Sequence, residues 1–202
     1  TYQFNGRSLK GLKIVIDAAN GAAYKVAPQV LFELGAQVIS VGVNPNGYNI
    51  NHKCGSTSPE LASQTVLEHG ADLGICLDGD ADRLTIVDDK GKFAHGDHLL
   101  GVFANELKFK NQLLKNTLVA TKMSNMGLEK YLNSNDINLV RTNVGDRYVV
   151  EEMIKGGFNL GGEQSGHIIM SDFSTTGDGL VAALQFIAAM QRNQRSASEL
   201  LN

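Results

Sequence analysis

Short β-branched apolar runs alternate with stretches carrying apolar residues at helical spacing, and this alternation constrains the fold more than any other feature. Residues 11–18 (GLKIVIDA) read as a buried strand, residues 22–34 as a helix closed by Gly35, and residues 36–43 (AQVISVGV) as a second strand. Strand, helix and strand in that order imply parallel strands joined by a right-handed crossover. Residues 44–55 are rich in Asn and Gly and form a loop with several turn signals. Ser58-Pro59-Glu60 opens the next helix, with Ser58 as cap and Pro59 in the first turn, and that helix stops at Gly70. Residues 71–77 and 84–87 follow as strands. Residues 88–91 (DDKG) make a tight turn in which Asp88 and Asp89 are ordinary turn residues.

A second unit begins near His95. Gly96-Asp97 opens a helix reaching about Phe109, residues 118–121 form a strand, 127–133 a helix, 137–142 a strand and 148–155 a helix. Residues 158–160 and 167–170 read as strands on either side of the loop 161–166 (GGEQSG), and residues 179–191 as a strongly apolar helix. A last short helix starts after Ser198. The chain is therefore α/β, with two consecutive domains, residues 1–94 and 95–202.

The 202 residues suffice for two cores, and a formal charge of −3 with scattered positive residues gives no footprint for nucleic acid. No apolar run approaches the roughly 18 residues that a membrane span needs. The opening TYQFNGRSLKG lacks the pattern of a signal peptide. Cys54 and Cys76 lie far apart and outside any zinc-site spacing, which points to reduced thiols and a cytoplasmic home.

The chemistry concentrates at Leu77-Asp78-Gly79-Asp80-Ala81-Asp82-Arg83, at the end of an apolar strand. Three carboxylates at alternate positions, separated by small residues, converge on one point when the chain turns tightly after the strand. They repel one another unless a cation sits between them, and oxygen-only ligands in a compact loop favour Mg²⁺. Arg83 adds a positive fork suited to a phosphate oxygen. A lone D-x-D would read more readily as a solvated acidic turn; the third Asp, the small spacers, the buried strand before them and the Arg after them turn the reading to a metal–phosphate site.

A second candidate is Gly161 to His167 (GGEQSGH). Its glycines require unusual backbone angles or close approach, and Glu163 and Ser165, two apart, present a carboxylate and a hydroxyl to one side for vicinal sugar hydroxyls. In Val144-Gly145-Asp146-Arg147, Asp146 caps a helix and Arg147 faces an anion near its N-terminus. Asp178 caps the following apolar helix. Lys122, just after a strand, reaches either a phosphate or only solvent. No nucleophile elbow, Walker loop or dinucleotide fingerprint occurs.

The motifs LDGDADR, VGDRYV, GGEQSGH and TTGDG, in this order, resemble the α-D-phosphohexomutase superfamily, and within it the bacterial phosphoglucosamine mutases. GLKIVIDAANGAAYKVAP, VNPNGYNINHKCGSTSPE and TKMSNMGLE are similar as well, so the likeness runs along nearly the whole chain. It implies three-layer α/β domains with mixed sheets, and that the chain comprises only the second and third of four domains. The family's phosphoserine loop (typically T-A-S-H-N-P) and its phosphate-binding loop (typically R-x-S-G-T-E-P) do not occur in this sequence. The resemblance therefore implies a fragment unable to turn over alone, completed by the missing domains of the same chain.

By the same resemblance, Asp78, Asp80 and Asp82 match Mg²⁺ ligands and Arg83 the arginine facing the phosphoserine or the transferred group. Glu163 and Ser165 match sugar-hydroxyl contacts, His167 the histidine closing that loop, and Asp146 and Arg147 a loop lining the cleft. Ala81 stands where relatives often have Gly, and the role of Lys122 stays open. The implied reaction interconverts glucosamine 6-phosphate and glucosamine 1-phosphate through a phosphoserine and a 1,6-bisphosphate, on the way to cell-wall precursors. Two rivals are a phosphomannomutase/phosphoglucomutase of the same superfamily and a non-catalytic Mg²⁺-dependent sugar-phosphate-binding module. A homo-oligomer is compatible with the sequence and not specified by it.

Overall fold

Ile14, Val15 and Ile16 all lie fully buried in β1 (Lys13–Asp17), as a central strand covered on both faces requires. The computed structural model of the chain describes residues 8–202; residues 1–7, most of the stretch read above as lacking a signal peptide, lie outside them. β2 (Gln37–Val41) and β3 (Leu73–Leu77) flank β1 in parallel, and β4 (Leu84–Val87) and β5 (Phe93–Ala94) extend the sheet antiparallel. The order is β2-β1-β3-β4-β5, a mixed sheet.

Alternation along β1 assigns its two coverings. Ile14 and Ile16 pack with Ala27 and Leu31 of α1 (Val26–Glu33), and Val15 packs with Ala62 and Val66 of α2 (Glu60–His69) on the opposite face. The second sheet has the order β7-β6-β8-β9: β6 (Thr117–Thr121), β7 (Asn138–Thr142) and β8 (Leu160–Gly162) are parallel, and β9 (Ile168–Met170) is antiparallel to β8. Leu128 and Leu132 of α4 (Met126–Ser134) join Leu118 and Ala120 on one face, with α3 (Gly96–Phe109). Val149 and Met153 of α5 (Asp146–Gly156) join Val119 and Ile169 on the other. The expected architecture of two three-layer α/β units with mixed sheets is the observed one.

The two sheets are not independent bodies. The apolar helix α6 (Gly179–Asn193), followed by α7 (Ala197–Leu200), packs on β3 and β4 of the first sheet and on β9 and α3 of the second. Its Phe186 and Ile187 lie in one apolar cluster with Ile75 and Ile86 from the first sheet and Leu118 and Leu160 from the second. No described helix is long and apolar enough to cross a membrane.

Four local expectations are corrected. The first helix starts at Val26, not Ala22, because the preceding residues turn to place the Ala22 N–H 2.8 Å from the Gly79 carbonyl. Ser58 does not cap α2: Pro59 holds the cap position and no side chain bonds to the helix end. Asp146 does not cap α5 but is its first residue, with Gly145 in the cap position at φ +127°, an angle that suits glycine. Asp89 is more than a turn residue, since its carboxylate accepts from the Ser198 N–H (2.7 Å) and hydroxyl (3.0 Å) and anchors α7.

Candidate functional site

β1 and β3 run parallel, so the loops that follow them leave the same edge of the sheet, the edge where α/β folds gather their ligand-binding groups. The acidic loop is shaped by its neighbours. A Cβ on Gly79 would lie 2.7 Å from Ile50 Cδ1 and 3.0 Å from Asn51 Nδ2, so the loop 44–55 presses directly on it. The Gly179 N–H, at the start of α6, donates to the Ala81 carbonyl at 2.9 Å, and Ala81 adopts a left-handed φ of +64°. That angle turns the chain so that Asp78, Asp80 and Asp82 each bring one oxygen within 4.8 Å of the others.

Asp78 is 7% exposed, and its Oδ1 accepts the Arg83 backbone N–H at 3.1 Å. The Arg83 guanidinium stands off, with Nε 3.7 Å from Asp78 Oδ2 and 3.8 Å from Asp82 Oδ1. Burial pushes the Asp78 carboxyl above its ordinary 3.8, the Arg83 N–H opposes this, and the charges of Asp82 and Asp80 push it further. Asp82 Oδ1 and Arg83 Nε are buried without a hydrogen-bond partner. Three bunched carboxylates, one oxygen of which is buried without a hydrogen bond, are a donor set that fits a hard divalent cation.

The Gly-rich stretch forms a tight β8–β9 turn. The Glu163 N–H donates to the His167 carbonyl at 2.9 Å and the Gly166 N–H to the Glu163 carbonyl at 3.0 Å. Gly161 and Gly162 belong to β8 rather than to the loop expected above; a Cβ on Gly161 would meet Met153 Sδ at 2.6 Å, so only glycine lets α5 lie this close. Glu163 Oε1 accepts the Gly145 N–H at 3.0 Å, and the Ser165 hydroxyl donates to Glu163 Oε2 at 3.5 Å. Glu163 and Ser165 thus sit side by side at the carboxyl end of β8.

This turn is sewn to the acidic loop. The Leu84 N–H donates to the Gly166 carbonyl at 3.0 Å, Arg83 and His167 pair as an isolated antiparallel bridge, and His167 Nδ1 lies 3.1 Å from Asp82 Oδ2. Asp146 approaches from α5, its Oδ2 4.0 Å from His167 Nε2. Arg147 does not join them: it is exposed and pairs along its own helix with Glu151 at 2.7 Å. Lys122, at the carboxyl end of β6, lines a cleft of about 560 Å³ with Arg141, Thr142, Asn143 and Tyr148, none of which belongs to either loop.

Asp17 escaped the sequence reading. Fully buried at the end of β1, it accepts the Ala19 N–H at 2.9 Å and the Gly55 N–H at 2.7 Å, and so gathers the loops behind the acidic one. Burial raises its carboxyl, and the two N–H bonds oppose that rise. The signal was available: the apolar run IVID ends in an aspartate just as ICLD does.

Two sequence models cover nearly all of this architecture. Phosphoglucomutase/phosphomannomutase α/β/α domain II matches residues 2–91, and α/β/α domain III matches residues 95–202. The chain belongs to the phosphoglucomutase/phosphomannomutase family. Among curated proteins it is similar to the phosphoglucosamine mutase of Dinoroseobacter shibae, 65% identical over 95% of this chain and 43% of that protein. It is likewise similar to that of Paracoccus denitrificans, 58% identical over 98% of this chain and 44% of that protein. The chain thus spans less than half the length of the curated relatives it matches. Among solved structures, a phosphoglucomutase/phosphomannomutase family protein from Burkholderia thailandensis shares the fold with a TM-score of 0.85 at 24% identity, over 98% of this chain and 44% of that one.

Proposed function

We propose that this chain is the second and third domains, residues 1–94 and 95–202, of a cytoplasmic phosphoglucosamine mutase, an isomerase that works by intramolecular phosphoryl transfer. The full-length protein interconverts glucosamine 6-phosphate and glucosamine 1-phosphate through a phosphoserine and a 1,6-bisphosphate. The observation that supports this reading is the contact between Asp82 of the acidic loop and His167 of the Gly-rich turn at 3.1 Å, which joins the acidic loop to the turn that carries Glu163 and Ser165. High identity to curated phosphoglucosamine mutases supports the choice of sugar.

Asp78, Asp80 and Asp82 would hold Mg²⁺. When bound, the ion compensates charge on the phosphoryl group. Arg83, whose Nε makes no hydrogen bond, donates to a phosphate oxygen beside the three aspartates. Glu163 accepts and Ser165 donates hydrogen bonds to adjacent hydroxyls in the middle of the sugar ring. A group held there can present either end to the phosphoserine, which a mutase needs because its bisphosphate turns over between the two half-reactions. Asp146 borders the same cleft, and Lys122 and Arg147 stand further out as contacts for a substrate phosphate. The phosphoserine and the loop that binds the distal phosphate belong to the domains on either side.

The test compares the full-length protein with this 202-residue chain on glucosamine, mannose and glucose 6-phosphates with Mg²⁺ present. Full-length turnover preferring glucosamine 6-phosphate at least about tenfold, worth about 1.4 kcal/mol in the barrier, and no turnover by the shorter chain are expected. Preference for mannose or glucose contradicts the sugar assignment. Turnover by the shorter chain at the full-length rate contradicts the division of labour among domains.

A further inference from the structure

His167 is 4% exposed and constrained from three directions. Its Nδ1 lies 3.1 Å from Asp82 Oδ2, and because a carboxylate oxygen only accepts, Nδ1–H is the donor. A Cβ on Gly177 would lie 2.5 Å from both Cε1 and Nε2, so the segment before α6 rests directly on the ring. Its own backbone is fixed by the bridge to Arg83. The remaining nitrogen, Nε2, is buried without a hydrogen-bond partner and faces Asp146 Oδ2 at 4.0 Å.

A ring held this firmly determines the orientation of the group it bonds. With Oδ2 of Asp82 engaged, rotation about the Asp82 Cβ–Cγ bond is blocked; Oδ1, which makes no hydrogen bond, is held 3.8 Å from Arg83 Nε, and Asp82 keeps one oxygen within 4.8 Å of oxygens of Asp78 and Asp80. Such an imidazole donor behind a carboxylate ligand sets the ligand's direction. We propose that His167 is a positioning residue that aims Asp82 at a divalent cation. It thereby couples the cation site to the turn that carries Glu163 and Ser165. This inference rests on reading the acidic loop as a metal site, and it gives His167 a task beyond closing the Gly-rich loop: the ring is committed on one edge to Asp82 and on its face to Gly177, and only Nε2 is left, directed toward Asp146.

The test is Mn²⁺ affinity, read by electron paramagnetic resonance, in the full-length protein and its His167→Ala, His167→Asn and His167→Gln variants. KM for glucosamine 6-phosphate is measured alongside at saturating Mn²⁺. The Asn carboxamide NH₂ reaches the place of Nδ1 and the Gln NH₂ that of Nε2. His167→Ala and His167→Gln are expected to weaken Mn²⁺ binding about 10–100-fold, with His167→Asn restoring most of it and KM little changed in all three. Gly177→Ala, which touches no candidate ligand but displaces the ring, is expected to weaken Mn²⁺ binding as well. It carries the test if the His167 variants fail to fold. Unaltered Mn²⁺ affinity in His167→Ala, or in Gly177→Ala, overturns the inference, and so does a rise in KM with Mn²⁺ affinity unchanged. A wild-type protein that binds no Mn²⁺ overturns the metal reading and this inference together.

Discussion

At the scale of single residues, the acidic loop carries two costs that a bound cation or a single substitution relieves. The first is Ala81, held at φ +64°. A left-handed conformation costs a non-glycine residue about 1–2 kcal/mol, and glycine gives back part of that through the freedom of its unfolded chain. Ala81→Gly is therefore expected to raise stability by about 0.5–1 kcal/mol, a rise in melting temperature of about 1–4 °C by calorimetry. A lowered melting temperature contradicts this account of the loop. The second cost is electrostatic. The Asp78 carboxyl is raised, mainly by burial, so the folded chain holds this proton to higher pH than the unfolded chain. In the window above the ordinary 3.8 the native state binds more protons, so stability without metal falls as pH rises through the raised value. Mg²⁺ bound only by the folded state restores about 2.7 kcal/mol at a hundred times its dissociation constant. Mg²⁺ is thus expected to raise the melting temperature by roughly 5–10 °C at pH 7 and scarcely at pH 4, with Asp80→Asn abolishing the shift at pH 7. An equal shift at both pH values, or an undiminished one in Asp80→Asn, contradicts the cation site.

At the scale of elements, strands and buried helices were legible because burial on two faces selects uninterrupted β-branched or apolar runs, as in Lys13–Asp17 and Gly179–Asn193. Helix ends were less legible, because capping residues compete with tertiary bonds. Asp178 caps α6 as read, its Oδ1 accepting the Val181 N–H at 2.9 Å. Ala22 and the residues after it have helical spacing yet turn aside to meet the Gly79 carbonyl, a bond across 57 positions that no local pattern encodes. The same holds in the site. Glu163 and Ser165 lie two apart, so their pairing was legible; His167 and Asp82 are 85 positions apart, so their bond was not. Gly166 shows the price of that long-range joint. At φ +91°, a Cβ there would lie 2.2 Å from the Leu84 carbonyl oxygen. Gly166→Ala is expected to destabilise the protein by about 2–4 kcal/mol through positive φ and collision with backbone, measured by denaturant unfolding. A loss below about 0.5 kcal/mol, typical of an unconstrained surface site, would show that the two loops are not joined there.

At the scale of the whole molecule, the two sheets share one apolar cluster, and α6, from the second half of the chain, covers β3 and β4 of the first. Two units divided near residue 94 in sequence are therefore bound into one core in space. The chain is expected to unfold in a single calorimetric transition, with calorimetric and van't Hoff enthalpies agreeing. Two resolved transitions would show that the halves are separately stable.

The central claim is that the aspartate trio and the Glu163–Ser165 turn form one site, with the cation held by the trio. A crystal of the full-length protein grown with Mn²⁺ and glucosamine 6-phosphate tests it most directly, through the anomalous signal of the metal. The account predicts one strong peak at about 2.0–2.3 Å from an oxygen of each of Asp78, Asp80 and Asp82, with the sugar hydroxyls against Glu163 and Ser165. A peak away from these carboxylates, or a sugar bound out of reach of Glu163, would contradict it.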